Sequence, residues 1–239
     1  PAIVTTTADV QQIARELAGN AAQVQVLCPA AANPLLFRPA EKDLAALRRA
    51  RMWIRLGGGV EAPWEGAALD AAANAALRAG GSGYLNATES LLPLDAAPTP
   101  SDAAASAVGC LLDPVHGRAI ARRIAARLAE VLPGGETLRE NLGHLLSETD
   151  LGIFGYGLIE AHGAERLWAL QSSGQLASFF ADKSLPLHDR RPLDFLASLR
   201  GRKVAACSAV WAAFARRWEL DLAVCVQPDP ARPPSESEI

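Results

Sequence analysis

The chain has 239 residues, with 23 Lys and Arg against 26 Asp and Glu, so its formal charge of −3 provides no electrostatic excess for phosphate backbones or anionic lipid. Half of the residues are apolar and the mean hydropathy is +0.10, enough for a sizeable core. No apolar run approaches the ~20 residues of a bilayer helix, so neither nucleic acid binding nor direct membrane insertion is expected.

Four cysteines, Cys28, Cys110, Cys207 and Cys225, are too few for a disulfide scaffold and lack zinc-module spacing. The chain opens at Pro1 rather than methionine, which leads to the expectation of a removed export leader, or of a trimmed start.

Residues 2–7 (AIVTTT) read as a strand, followed by Asp9 as a helix N-cap and by Val10, Ile13, Ala14 and Leu17 at helical spacing. Residues 23–27 (QVQVL) form a second predicted strand, and 29–39 a loop. Residues 41–51 make a helix with Leu44 and Leu47 inward, and 52–56 a third strand. After the turn at Gly57 to Gly59, alanines at helical spacing predict a helix within 64–79. Residues 80–100 read as a surface connection with one short strand at 84–86.

The apolar run 107–112 (AVGCLL) is expected to close the first sheet. Asp113-Pro114 then opens a helix with Ile120, Ile124, Leu128 and Val131 near every fourth residue, up to Pro133. A further helix covers 136–147, and a second strand and helix set runs from Gly152. That set ends with strand 203–207 (KVAAC), a helix over 209–218, strand 222–226 (LAVCV) and a Pro-rich tail. Strands alternating with helices predict mainly parallel sheets with ligands at the strand C-termini.

The expected fold is therefore α/β, with two lobes, each a mainly parallel sheet flanked by helices and joined by helix. Its boundaries are 1–133 for the N-terminal lobe, 134–151 for the linking helix and 152–239 for the C-terminal lobe.

The residues offer little for catalysis. Ser208 follows a strand and precedes a helix, yet its context is A-C-S-A-V rather than the G-x-S-x-G of a nucleophile elbow. The run 152–157 (GIFGYG) lacks the G-K-[ST] of a phosphate loop and is read as a tight turn with Phe154 or Tyr156 at the cleft rim. His116, His144, His162 and His188 share no metal-ligand spacing, and surface or capping roles are expected, with His116 alone near the cleft. The chain is not expected to be an enzyme or to need a cofactor.

The order of motifs resembles the solute-binding proteins of bacterial zinc and manganese ABC importers. Residues 3–9 (IVTTTAD) with IARELAG at 13–19 are similar to that family's opening strand and helix. Residues 29–42 (PAAANPLLFRPAEK) resemble its metal loop PPGADPHxFEPTPSDL, and 57–64 (GGGVEAPW) its GLGLExW. Leu112-Asp113-Pro114 resembles the segment after the second ligand, and 203–220 (KVAACSAVWAAFARRWEL) resembles KVVTSHDAFGYFARRYGL. Gln227-Pro228-Asp229-Pro230 resembles the SPEP sequel. The resemblance implies two lobes held by a stiff helix, an extracytoplasmic or lipid-anchored location, and delivery of a ligand to an ABC permease.

The same resemblance places the family's three histidine ligands at Leu35, Gly109 and Ser208, none of which supplies an imidazole. The fourth, an acid, falls beyond Ile239, so an incomplete second lobe is expected. Loss of the histidine metal site implies a cleft adapted to an organic solute or a metal chelate, with Asn33, Leu35, Leu36, Gly109, Cys110 and Ser208 as candidate ligand-binding residues. Two alternatives stay open: thiolates of Cys28, Cys110 and Cys207 holding Cu(I) or zinc, and a scaffold or binding protein without transport. Disulfides Cys28–Cys110 and Cys207–Cys225 are a further possibility for the cysteines.

Overall fold

The computed structural model describes residues 2–89, 91, 107–181, 195 and 197–227. The expectations for His188, for the connection at 92–100 and for the tail from 228 onward lie outside the described residues. A first sheet has the order β2-β1-β3-β4, from β1 (Ala2–Thr5), β2 (Gln23–Val26), β3 (Met52–Arg55) and β4 (Tyr84–Asn86). All its pairings are parallel, with Val4 opposite Gln25 and Trp53, and Ile54 opposite Leu85.

Period-2 alternation distributes the strand side chains over two layers. On one face Ile3, Met52, Ile54 and Leu85 pack with Val10, Ala14 and Leu17 of α1 (Ala8–Ala18). The same cluster takes Ile120, Ile124 and Leu128 from α4 (Pro114–Val131) and Leu138 from α5 (Gly135–Phe154). On the other face Val4 and Trp53 pack with Leu47 of α2 (Glu41–Arg49) and with Trp64, Ala68 and Leu69 at α3 (Glu65–Ala72). A sheet covered on both sides explains why its inner strands, β1 and β3, are short apolar runs, while the edge strand β2 keeps exposed glutamines.

Local chemistry sets the helix ends. The N-cap of α1 is Thr7, with Asp9 displaced from the expected cap into the first turn, where a carboxylate still favours the helix dipole. At α2 the Ala40 amide donates to Asp43 Oδ2 at 2.8 Å. The helix expected over 64–79 is shorter, because Ala73 adopts a left-handed φ of 52° and ends α3. Asn74 then donates through Nδ2 to Leu47 O at 3.1 Å and Ala50 O at 2.9 Å, covering the carbonyls at the end of α2. The helix α4 begins as its Asp113-Pro114 start predicts, with the Val115 amide donating to Asp113 Oδ1 at 2.9 Å.

Several further expectations are corrected. Residues 107–112 are not a strand: 107–109 are helical and Cys110–Leu112 form a 3-10 turn leading into Asp113. The helix expected over 136–147 extends through Phe154, and it packs on α1 and α4.

Where a strand was expected from Gly152, the described residues continue as α6 (Tyr156–His162), α7 (Ala164–Ser172) and α8 (Leu176–Ala181). Phe154 is fully buried against Trp168 in a third apolar cluster and not at a cleft rim, whereas Tyr156 is exposed. Apolar runs of four to eight residues carry no periodicity that separates a buried strand from helix, and tertiary packing decides between them here.

The second sheet comprises β5 (Lys203–Ser208) and β6 (Asp221–Gln227), parallel and connected through a 3-10 turn (Ala209–Trp211) and α9 (Ala212–Arg217). Ala215 and Trp218 are the buried residues of this crossover.

Candidate functional site

The C-terminal ends of the first sheet form a compact rim. The amides of Leu27 and Cys28 donate to Thr5 O and Thr6 O at 2.9 Å each, and that of Thr6 donates to Ile54 O at 3.1 Å. Thr6 and Thr7, at the end of the central strand, bury their hydroxyls without a hydrogen-bond partner among the described residues. Nothing in the spacing of the threonines signals this.

The loop after β2 places Asn33 so that its Oδ1 accepts the Leu35 amide at 3.0 Å. Leu35 turns into the first apolar cluster, to which Cys110 also belongs, while Leu36 is 55% exposed. Beneath this rim, the fully buried Glu61 accepts the Leu56 and Gly57 amides and pairs with Arg55 at 3.2 Å.

The other wall comes from the β5–α9–β6 unit. Gly109 lies so close to it that a Cβ would stand 2.0 Å from Val210 O. Ser208 Oγ accepts the Val210 amide at 3.4 Å and so caps the turn that makes this contact. A few residues on, Arg217 Nε donates to both Asp113 carboxylate oxygens at 2.9 Å, and its Nη2 lies 2.8 Å from Oδ2. His116 Nδ1 is 3.8 Å from the same carboxylate. The sequence shows Asp113 as a helix cap but carries no signal for its pairing with Arg217.

The candidates thus divide. Leu35 and Cys110 share one core cluster, and Gly109 and Ser208 meet through Val210. All four cysteines are free, so neither expected disulfide forms. Cys28 and Cys110 are buried while Cys207 is exposed on the opposite face of β5 from Ser208. Burial, and next the Asp9 carboxylate, push the Cys110 thiol up to about 12, and burial also raises the Cys28 thiol. Such groups stay protonated at neutral pH and are poor metal ligands. Among the described residues, no three His, Cys, Asp or Glu side chains converge as a metal site.

A cavity of about 640 Å³ lies beside this junction, between α1, the 110–112 turn, α4, α5 and α9. Ile13, Leu111, Leu146, Phe214 and Trp218 supply much of its apolar wall, and Asp9 and Glu16 its acidic side. Arg118 also reaches it but is already committed, to Asp150 and to Glu165 at 2.6 Å. Gly109 and Cys110 fall between two lining residues, Val108 and Leu111. An apolar cavity with a few polar groups is the kind of space that binds small organic molecules.

The two parallel sheets and their helices reproduce a fold known from solute-binding proteins. A crystal structure of ZnuA superposes with a TM-score of 0.64 at 22% identity, covering 99% of this chain and 74% of that one. The laminin binding protein Lmb of Streptococcus agalactiae, described as a bifunctional protein with adhesin and metal transporting activity, gives 0.62 at 16% identity, with 99% and 72% coverage. Zn(II)-bound AdcA from Streptococcus pneumoniae gives 0.60 at 18%, covering 94% of this chain and 38% of that one.

The family model for zinc-uptake complex component A, periplasmic, matches residues 3–150, and the chain belongs to that family, the solute-binding proteins of metal-type ABC importers. No curated protein sequence matches the chain. Among the described residues, no helix is long and apolar enough to cross a membrane.

Proposed function

We propose that the chain is an extracytoplasmic receptor that delivers its ligand to an ABC permease and holds that ligand without an imidazole site. Membership of the zinc-uptake family supports the receptor role. The observation that carries the rest is Gly109: where the family resemblance puts a histidine, Val210 O occupies the space of a Cβ at 2.0 Å. No side chain at 109 fits without moving β5–α9–β6. Leu35 is committed to the core, and the Ser208 hydroxyl caps a turn.

The ligand class this favours is an organic solute, or a metal carried within an organic chelate. The nearby cavity supplies apolar walls for it, and Asn33, Leu36 and Ser208 are the accessible members of the expected set. Residues 1–133 and 152–239 would then act as the two lobes, with 134–151 between them.

The test is direct binding. Calorimetry with zinc alone should show no stoichiometric site at sub-micromolar free ion, while a thermal-shift screen of small organic solutes and zinc chelates should yield a ligand that Phe214→Ala weakens. Tight binding of bare zinc that survives Cys→Ser replacement at 28, 110 and 207 would overturn the proposal. A screen with no ligand would favour a scaffold role.

A further inference from the structure

Two contacts join the β5–α9–β6 unit to the turn preceding α4, and both are built for close fit. At the first, Gly109 lacks a side chain where Val210 O approaches. At the second, the guanidinium of Arg217 engages both oxygens of Asp113 across 104 positions of sequence. Asp113 is 3% exposed, so this is a desolvated fork rather than a surface pair. The same carboxylate caps α4 through the Val115 amide, which holds it in the orientation that Arg217 meets. On either side of the pair stand residues of the cavity wall: Leu112 and Pro114 flank Asp113, and Trp218 follows Arg217.

We infer that Asp113 and Arg217, together with the Gly109–Val210 seat, form a clasp that holds the two units together and controls access to the cavity between them. Buried fork-shaped ion pairs suit this role because they have two discrete arrangements. Made, the pair is satisfied on both sides; broken by removing one partner, it leaves a charge that must find water, so the joint opens rather than stretches. The seat supplies the shape selectivity, since a carbonyl approaches the 109 backbone this closely only above glycine. The inference goes beyond the proposed receptor role, and it is tested without any ligand.

The experiment is electron-spin distance measurement on the full chain. Cys207 is exposed and takes one nitroxide, Glu41→Cys on the first unit takes the other, and Cys225→Ser removes the remaining accessible thiol. The doubly labelled parent should give one narrow distance distribution. Arg217→Gln and Gly109→Ala should each lengthen and broaden it by several ångström, with hydrogen exchange in β1 and β3 unchanged. Parent-like distributions in both variants, or a broad distribution in the parent itself, would overturn the clasp. Should Arg217→Gln fail to fold, Arg217→Lys, which keeps the charge but loses the fork, is read instead: partial broadening supports the inference and a parent-like distribution overturns it.

Discussion

Glu61 holds the turn at Gly57: its Oε2 accepts the Gly57 amide at 3.1 Å while its Oε1 accepts that of Leu56 at 2.7 Å. The side chain is fully buried and its charge is matched by Arg55 at 3.2 Å. Replacing Glu61 by Gln puts an amide group among donors and leaves Arg55 with less compensation. The expected loss is ~3–5 kcal/mol, as for other buried pairs broken on one side. Urea denaturation checks it, and a loss below ~1 kcal/mol would mean that the pair behaves as if it were exposed.

Gly57 and Gly59 are both in left-handed backbone, at φ 96° and 91°, yet they face different surroundings. A Cβ at 57 would lie 2.1 Å from Asn86 Oδ1 and 2.6 Å from Thr88 Oγ1, whereas at 59 nothing among the described residues stands within 4 Å. Gly59→Ala should therefore cost only the conformational term, ~1–2 kcal/mol. Gly57→Ala adds overpacking of typically ~1–3 kcal/mol. Denaturation midpoints of the two variants side by side separate strain from crowding, and equal losses would contradict this assignment.

Thiol chemistry should follow burial. With its thiol pushed up to about 12, Cys110 presents ~10⁻⁴ of its population as thiolate at pH 8. Native protein treated with an aromatic disulfide reagent should be modified first at Cys207, with Cys28 and Cys110 reacting only after unfolding. Peptide mapping after short exposure reads the order, and early loss of Cys110 would show that its pocket opens.

Glu65 gives a pH signature. Burial raises its carboxyl above the ordinary 4.5, with the like charge of Glu61 adding and Arg55 opposing. The folded chain then binds this proton more readily than the unfolded one. The contribution of Glu65 to stability accordingly declines as pH rises from about 4.5 through the raised folded value. Glu65→Gln should flatten that part of the curve, seen as a smaller change in denaturation midpoint between about pH 4 and pH 7. An unchanged slope would contradict the assignment.

The first sheet was legible because its strands are short β-branched or apolar runs placed between recognisable helices, as in IVT at 3–5 and WI at 53–54. The run 107–112 was not, since AVGCLL suits a strand by composition and only the contact of Gly109 with Val210 reveals why a glycine stands in it. Tertiary partners decide such segments. For the site, sequence located the turn at Asp113 and the end of β5, where two units do meet. The ion pair from Asp113 to Arg217 was invisible, because spacing along the chain says nothing about groups brought together by a crossover.

The first apolar cluster has an implication for how the chain acquires its structure. Ile3, Met52 and Ile54 are covered by Ile120, Ile124, Leu128 and Leu138, and Asn141 Nδ2 reaches back 124 positions to Leu17 O at 3.0 Å. The four opening strands are therefore a sheet with one face covered only by α1 until α4 and α5 have joined them. Contacts of such sequence separation are slow to form and are made late. A chain emerging from the ribosome or from a translocation pore remains unfinished across its first half until well past its midpoint, and holding it soluble over that interval is work for a chaperone.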